Sequence, residues 1–166
     1  MARPVLLLLS GPNLNLLGDR EPEIYGTDTL LDHVRRARRA AAEHGFDLEH
    51  LQSNHEGDLV DAIQAARRRV AAIVINPAAF THYAWSIHDA LAAFDGVVVE
   101  LHLSEPLDRE PWRHVSVVEP VADGRIAGRG GDGYPAAVHL AVQLTQPAAS
   151  GPEAGREEGP VEETDG

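Results

Sequence analysis

Short apolar runs alternate with stretches of helical periodicity along most of the chain. The predicted strands are 4–10, 46–52, 71–76, 96–104 and 124–130. The predicted helices are 29–45, 57–69, 83–94 and 133–144. Strands that alternate with helices favour βαβ units and a mainly parallel sheet. Ligands bind such sheets beyond the carboxyl ends of the strands, so the sequence predicts an α/β fold with a site at that edge.

The length of 166 residues suits one domain of ordinary size, which we predict to span 3–145. The remaining stretch, 146–166, is rich in Pro, Gly, Ala and Glu. It carries six acidic residues against one arginine, and Val161 is its single larger apolar residue. Such a composition buries too little apolar surface to repay the entropy of ordering. We therefore predict that 146–166 is a disordered acidic tail.

The charge and hydropathy of the chain exclude two classes of partner. The formal net charge is -12 at pH 7 and the pI is about 5.0, which argues against non-specific binding to nucleic acid. No apolar run approaches the roughly 18 residues that a membrane span needs. The apolar run after Arg3 is too short for a signal peptide and suits a buried strand instead. We expect a cytoplasmic protein that binds neither nucleic acid nor membrane.

The chain contains no cysteine and no lysine, so its 14 basic residues are all arginines. Disulfides, thiolate nucleophiles and Schiff-base chemistry through a lysine are therefore excluded. The histidines show no coherent metal-ligand spacing, and we predict no metal site. Any catalysis must use histidine, tyrosine, arginine, amide, hydroxyl and carboxylate side chains.

Alternation along the fourth predicted strand puts Glu100, His102 and Ser104 on one face. A central parallel strand is normally apolar on both faces, so a carboxylate and an imidazole here indicate chemistry. Same-face neighbours lie about 7 Å apart, which allows Glu100 to orient and charge His102 for general acid–base work. The alternative is an edge strand whose outer face is wetted by solvent.

A loop rich in polar residues, glycine and proline follows the first predicted strand and includes Asn13, Arg20 and Tyr25. Its glycines and prolines suit a lid that closes over a site. A guanidinium near Tyr25 would favour the phenolate form and make the tyrosine a usable base. The alternative is a tyrosine packed at a turn beside a solvent-facing arginine. Asn76 and His82 follow the third predicted strand and would reach the same edge.

Three segments of the chain resemble the signature blocks of type II 3-dehydroquinate dehydratases, and a fourth resembles that family's closing strand and helix. They read "GPNLNLLGDREPEIYG", "INPAAFTHYAWSIHDAL", "VELHLSEPLDREPWRH" and "GRGGDGYPAAVHLAV", and the similarity runs from about residue 5 to residue 144. The resemblance implies a flavodoxin-like three-layer α/β domain with a five-stranded parallel sheet. It also implies reversible dehydration of 3-dehydroquinate to 3-dehydroshikimate through an enolate, without metal or organic cofactor. The family assembles as a homododecamer, a tetramer of trimers.

The resemblance assigns five catalytic residues by matching position. Tyr25 would be the base that removes a proton from carbon 2 of the substrate, and Arg20 would favour its phenolate and travel with it on the lid. Asn13 would hold a water that stabilises the enolate. His102 would protonate the departing hydroxyl, and Glu100 would orient His102.

The resemblance also assigns residues that bind the small anionic substrate. Its ring hydroxyls and carboxylate would be bound by Asn76, His82, Arg113 and the backbone amides of Leu103 and Ser104. Asp89 matches an acidic residue that, in the family, reaches the site of a neighbouring subunit. Arg109 matches another basic position in the same block as Arg113.

The chain departs from the family pattern at several positions, including Ala78, Trp85 and Glu105. Ala78 stands where the family commonly has glycine, and its methyl group would be strained at positive φ. Glu105 stands where the family often has asparagine, and it would repel an anionic substrate unless it pairs with an arginine. These departures leave two alternatives open. One is a divergent paralogue that dehydrates a related cyclic hydroxyketone, and the other is a non-catalytic oligomeric scaffold with the same fold.

Overall fold

A computed structural model describes residues 1–146 of the chain. Its centre is a parallel sheet of five strands in the order β2-β1-β3-β4-β5. The strands are β1 (Val5–Ser10), β2 (Asp47–Gln52), β3 (Ala72–Asn76), β4 (Val97–Leu101) and β5 (Gly124–Ile126). This order is that of flavodoxin-like folds, whose strand order reverses between β1 and β3. The predicted fold class is confirmed.

Helices cover both faces of the sheet. They are α1 (Pro22–Tyr25), α2 (Leu30–Glu43), α3 (Glu56–Ala66), α4 (Trp85–Ala92) and α5 (Gly133–Thr145). Helices α2 and α5 pack together on one face, and α3 and α4 pack together on the other. Thr29 starts α2 with a capping box, because its hydroxyl accepts from the Asp32 amide while the Asp32 carboxylate accepts from the Thr29 amide.

The alternating side chains of the central strands form two separate cores. In β1, Leu6 and Leu8 face α2 and α5, whereas Leu7 and Leu9 face α3 and α4. Strand β3 is buried along its whole length, as expected for a central parallel strand. This packing fixes the position of the polar residues at the end of each strand, including the register pair Ser10 and Asn76.

Two predicted strands are shorter in the structure than the sequence pattern indicates. Strand β4 ends at Leu101 instead of 104, and β5 ends at Ile126 instead of 130. The pairing between them continues by one further bond, in which the His102 amide donates to the Ile126 carbonyl. Beyond that point the Gly130 amide donates to the Leu103 carbonyl, and the chain leaves the strand direction.

Apart from Gln146, the predicted tail 146–166 lies outside the described residues. Among residues 1–146, no helix has the length and apolar character needed to cross a membrane. The predicted helix 83–94 is shorter in the structure, where α4 spans Trp85–Ala92 and follows a 3-10 helix at Ala78–His82.

Candidate active site

A cleft of about 130 Å³ opens at the carboxyl ends of β1, β3 and β4. Nine of the eleven predicted site residues line it: Asn13, Arg20, Tyr25, Asn76, His82, His102, Leu103, Ser104 and Arg113. Arg109 and Trp112 line it as well. The polar residues that follow three different strands therefore meet in one cleft, as the parallel sheet predicts.

Glu100 lies behind His102 and not in the cleft. Its side chain is fully buried, and its Oε1 atom lies 2.7 Å from Nε2 of His102. The same oxygen accepts a hydrogen bond of 2.7 Å from the Ser116 hydroxyl. Strand β4 is internal, between β3 and β5, so the alternative of a wetted edge strand is wrong. The arrangement is a carboxylate–imidazole pair of the kind that serves general acid–base chemistry.

Tyr25 contacts two arginines. Nη1 of Arg109 donates a hydrogen bond of 2.6 Å to the Tyr25 phenol oxygen, and the Arg109 guanidinium lies 5.5 Å from the ring centroid. The Arg20 guanidinium lies 5.3 Å from the same centroid and pairs with Glu21 at 3.2 Å. Arg109, and not Arg20, is thus the direct partner of the phenol oxygen. Tyr25 also packs against a core cluster, and both Tyr25 and Arg20 line the cleft.

The loop that carries Tyr25 bends through several left-handed residues. Asn13 has φ 66°, Gly18 has φ 100° and Gly26 has φ 80°. Glycine adopts such angles without steric cost, and asparagine tolerates them better than most residues do. The Asn13 amide donates to Oδ1 of Asn54 at 3.0 Å, which ties this end of the loop to the segment after β2. The loop therefore turns back over the cleft and brings Tyr25 to the ends of the strands.

Asn76 and His82 reach the cleft from the segment after β3. The buried Asn76 side chain accepts from the Ala78 amide at 3.3 Å. His82 Nδ1 lies 2.7 Å from the Val115 carbonyl, which can only accept, so Nδ1 carries the proton. Desolvation by burial lowers the pKa of His82, which favours the neutral ring. In the neutral ring Nε2 is a hydrogen-bond acceptor, suited to a hydroxyl group of a ligand.

The groups suited to a ligand carboxylate follow β4. Within residues 1–146, the backbone amides of Leu103 and Ser104 donate to no other group. Arg113 adds positive charge at the cleft, where its guanidinium pairs with Glu110 at 2.6 Å and lies 4.0 Å from the Trp112 ring centroid. Free amides beside a guanidinium form a site for a small anion.

The structure shows what two departures from the family pattern do locally. Ala78 has φ 51°, so the strain expected from its methyl group at positive φ is present. Glu105 does not line the cleft, and its carboxylate accepts from Arg125 at 2.8 Å. The hydrogen bond from Arg125 is the main cause that lowers the pKa of Glu105. Because Glu105 is paired in this way, its charge is neutralised next to the cleft.

Asp89 lies away from the cleft. It belongs to α4 and lines a separate depression together with Ser86 and residues of α3. The chain alone therefore does not bring Asp89 to the other predicted site residues.

Sequence reasoning missed two contacts at the site. Ser116 as a donor to Glu100 and Arg109 as the partner of Tyr25 both come from the irregular segment between β4 and β5. No periodic pattern in that segment indicates which side chains turn inward. Among the described residues, no group of three or more histidine or acidic side chains is arranged to hold a metal ion.

Comparison with known proteins identifies the family. The family model described as Dehydroquinase class II matches residues 4–142. A 3-dehydroquinate dehydratase from Bacillus licheniformis is 50% identical over 135 residues, which cover 81% of this chain and 93% of that protein. A catabolic 3-dehydroquinase from Penicillium rubens is 51% identical over 142 residues, which cover 85% of this chain and 92% of that protein.

Solved structures agree with this result. The crystal structure of a type II dehydroquinase from Butyrivibrio crossotus aligns with a TM-score of 0.82 at 40% sequence identity. The alignment covers 86% of this chain and 99% of that one. A type II dehydroquinase from Propionibacterium acnes aligns with a TM-score of 0.78 at 44% identity, over 83% of this chain and 96% of that one. The chain belongs to the class II dehydroquinase family.

Proposed function

We propose that this chain is a 3-dehydroquinate dehydratase, a hydro-lyase that reversibly removes water from 3-dehydroquinate to give 3-dehydroshikimate. The observation that carries the proposal is that Tyr25 and His102 open onto one cleft, with Glu100 against His102 at 2.7 Å. A base and a separate acid are the two groups that an elimination of water requires. Relatives about 50% identical carry this activity in their names.

The reaction uses each group of the cleft in turn. Tyr25, as phenolate stabilised by Arg109, takes the proton from carbon 2 beside the substrate ketone, and an enolate forms. Asn13 holds the water that donates to the enolate oxygen. His102, charged by Glu100, gives its proton to the departing hydroxyl, which leaves as water. The Tyr25 phenol then returns its proton to solvent and His102 regains one, so the enzyme is restored.

The remaining groups of the cleft bind the substrate. The carboxylate is held by Arg113 and by the amides of Leu103 and Ser104, and the ring hydroxyls are held by Asn76 and His82. Arg20 covers the Tyr25 ring and adds positive charge for the anionic substrate. Neither a metal nor an organic cofactor takes part in this proposal.

The two alternative functions are less well supported. The Glu105–Arg125 pair removes the repulsion that motivated a changed substrate. A non-catalytic scaffold gives no reason to bury Glu100 against His102, because an unneeded buried carboxylate costs stability. A soluble homododecamer in the cytoplasm, in which Asp89 reaches the site of a neighbouring subunit, completes the proposal.

The direct test is an ultraviolet assay for the conjugated enone of 3-dehydroshikimate with purified protein and 3-dehydroquinate. Turnover is expected for the wild type. Tyr25→Phe is expected to abolish turnover while substrate still binds by calorimetry, because the ring and its contacts remain. His102→Ala is expected to lower kcat by about 10² to 10⁴, the range for an acid–base residue. Wild-type protein that binds 3-dehydroquinate without turnover would contradict the proposal.

A further inference from the structure

The buried carboxylate of Glu100 has an arginine as its neighbour on the next strand. In the register of β4 and β5, Glu100 is paired directly with Arg125. Residues paired in this way in a parallel sheet point to the same face, with strands about 4.8 Å apart. An arginine on the neighbouring strand would ordinarily bind a buried carboxylate with its guanidinium, because an unpaired charge is costly to bury.

Arg125 binds Glu105 instead. Nη2 of Arg125 donates to Oε1 of Glu105 at 2.8 Å, and Nη1 lies 3.4 Å from Oε2. Both side chains are about 70% buried, so this pair is screened less than a surface pair. Glu105 is also tied to its own turn, where its carboxylate accepts from the Leu107 amide. The pair therefore holds the Arg125 guanidinium at the segment after β4.

A second cavity, which we call the rear cavity, lies between these groups. It has a volume of about 70 Å³, and both Glu100 and Arg125 line it together with Ser116. His102 lines both the cleft and the rear cavity, so it stands between them. Within residues 1–146, Oε2 of Glu100 is buried and accepts no hydrogen bond. If Arg125 were released from Glu105, the rear cavity would have room for its side chain, and Oε2 of Glu100 could accept a hydrogen bond from it.

We propose that Glu105 is a positioning residue that holds the Arg125 guanidinium away from Glu100 and so reserves the Glu100 carboxylate for His102. If Arg125 bound Glu100, the carboxylate would be neutralised and a positive charge would stand beside the imidazole. Both effects disfavour the protonated ring of His102. Glu105 thereby acts on the acid of the reaction without contact to the substrate. This inference rests on the role proposed for His102.

Other charges act on this group of residues beside the proposed effect. Glu105 itself interacts with His102 through space, and Arg125 interacts with Glu100 in the same way while it is paired with Glu105. The titratable and charged groups of the rear cavity are Glu100, His102, Arg113, His114, Glu119 and Arg125. Arg113 is engaged by Glu110, and the ring of His114 lies 3.0 Å from the Arg109 carbonyl. His82 faces His102 from the cleft, and its own neutral form is favoured by burial. Glu119 is exposed and makes no hydrogen bond to Arg125 within the described residues.

The test compares Glu105→Gln with the double variant Glu105→Gln/Arg125→Leu. Glutamine keeps an oxygen for the Leu107 amide and removes only the charge. The imidazole resonances of His102 are titrated by NMR in histidine-labelled protein, and kcat is measured against pH on the same samples. Glu119→Gln is the matched control, because it removes a carboxylate from the same cavity without releasing Arg125.

In Glu105→Gln the His102 titration midpoint is expected to fall by about one pH unit, since a new positive neighbour shifts a titration by that order. A decrease of kcat of about tenfold at neutral pH is expected to accompany it. The double variant is expected to restore both values, and Glu119→Gln and Arg125→Leu alone are expected to show no fall in the midpoint. An unchanged midpoint in Glu105→Gln, or a fall that persists in the double variant, would overturn the inference.

The two proposals fail in different ways. If the midpoint moves as expected while kcat stays constant, Glu105 positions Arg125 but His102 is not the acid. If His102→Ala retains turnover, the acid is misassigned, whereas the titrations still decide the role of Glu105. Thermal unfolding of each variant, followed by circular dichroism, establishes that all of them are folded.

Discussion

The Arg109 guanidinium donates a 2.6 Å hydrogen bond to the phenol oxygen of Tyr25, a residue 84 positions earlier in the chain. Arg20, the sequence neighbour first expected to act on Tyr25, contacts only the face of the ring and is paired with Glu21. The two arginines therefore contribute differently to the phenolate. A hydrogen bond made to the reacting oxygen outweighs a contact with the ring.

Arg109→Ala is accordingly expected to lower kcat more than Arg20→Ala does. A hydrogen bond to a charged oxygen is worth about 1.5 to 3 kcal/mol, which corresponds to a decrease of about 10- to 150-fold. For Arg20→Ala we expect a decrease of about tenfold or less. Steady-state kinetics of both variants check the order, and Arg109→Lys is the control that keeps the charge. The opposite order would mean that lid closure brings Arg20 to the phenol oxygen.

Ser116→Ala is expected to lower both the stability of the protein and its kcat. The variant removes a donor from the fully buried Glu100 and an acceptor from the Val118 and Glu119 amides. A loss of about 1.5 to 3 kcal/mol in the free energy of unfolding is expected from urea titration. Ser86→Ala is the matched control, because this exposed hydroxyl also contacts a glutamate but its loss is expected to cost less than about 0.5 kcal/mol. Equal losses in the two variants would contradict the importance of the buried contact.

Ala78→Gly is expected to stabilise the protein. Ala78 has φ 51°, a conformation that costs a residue with a Cβ atom about 1 kcal/mol more than it costs glycine. The neighbouring residue Ala79 has negative φ, so Ala79→Gly is expected to destabilise by about 0.5 to 1 kcal/mol. The two variants have the same composition, and chemical denaturation compares their free energies of unfolding. Destabilisation by both would show that the Ala78 methyl contributes more by packing than it costs by strain.

His50 is expected to make the protein less stable at acidic pH. Burial, with a smaller effect of Arg38, lowers the pKa of His50 to about 4, below its ordinary value of 6.5. Between these two values the unfolded chain binds more protons than the folded one, so stability falls as pH falls from about 6.5 to about 4. One such proton gives a slope of at most about 1.4 kcal/mol per pH unit, and the partial exposure of the ring reduces it.

His50→Gln retains a polar partner for the Ser10 hydroxyl, which lies 3.0 Å from His50 Nε2. Unfolding free energies of this variant, measured from pH 7.5 down to pH 4.5, are expected to fall less steeply than those of the wild type. His33 and His82, whose pKa values burial also lowers, are present in both proteins and cancel in the difference. Parallel slopes would mean that the ring becomes protonated without unfolding.

The periodicity of the sequence predicted the sheet because the sheet is made by local patterns. The runs that became β1 and β3 are apolar on both faces, and only a central parallel strand buries both. The location of the cleft followed from the same rule, since the ends of parallel strands meet at one edge. Glu100 was found because a carboxylate interrupts such a run, and that signal is visible without coordinates.

The contacts of Arg109, Ser116 and Arg125 could not be predicted in this way. The segment between β4 and β5 is built of short 3-10 turns whose direction depends on contacts with distant parts of the chain. The Val117 amide, for example, donates to the Thr81 carbonyl, and this contact brings Ser116 under Glu100. Pairing of Glu105 with Arg125 likewise depends on where β4 ends, which the alternation of side chains placed three residues too late.

The bond between Tyr25 and Arg109 joins the loop after β1 to the segment after β4. Neither segment belongs to the sheet, and the two follow different strands before they reach the cleft. Any outward movement of the loop would have to break this hydrogen bond, so access to the cleft would depend on two parts of the chain at once. An inhibitor that bound both the loop after β1 and the segment after β4 would hold the cleft closed more strongly than one that contacted only the ends of the strands.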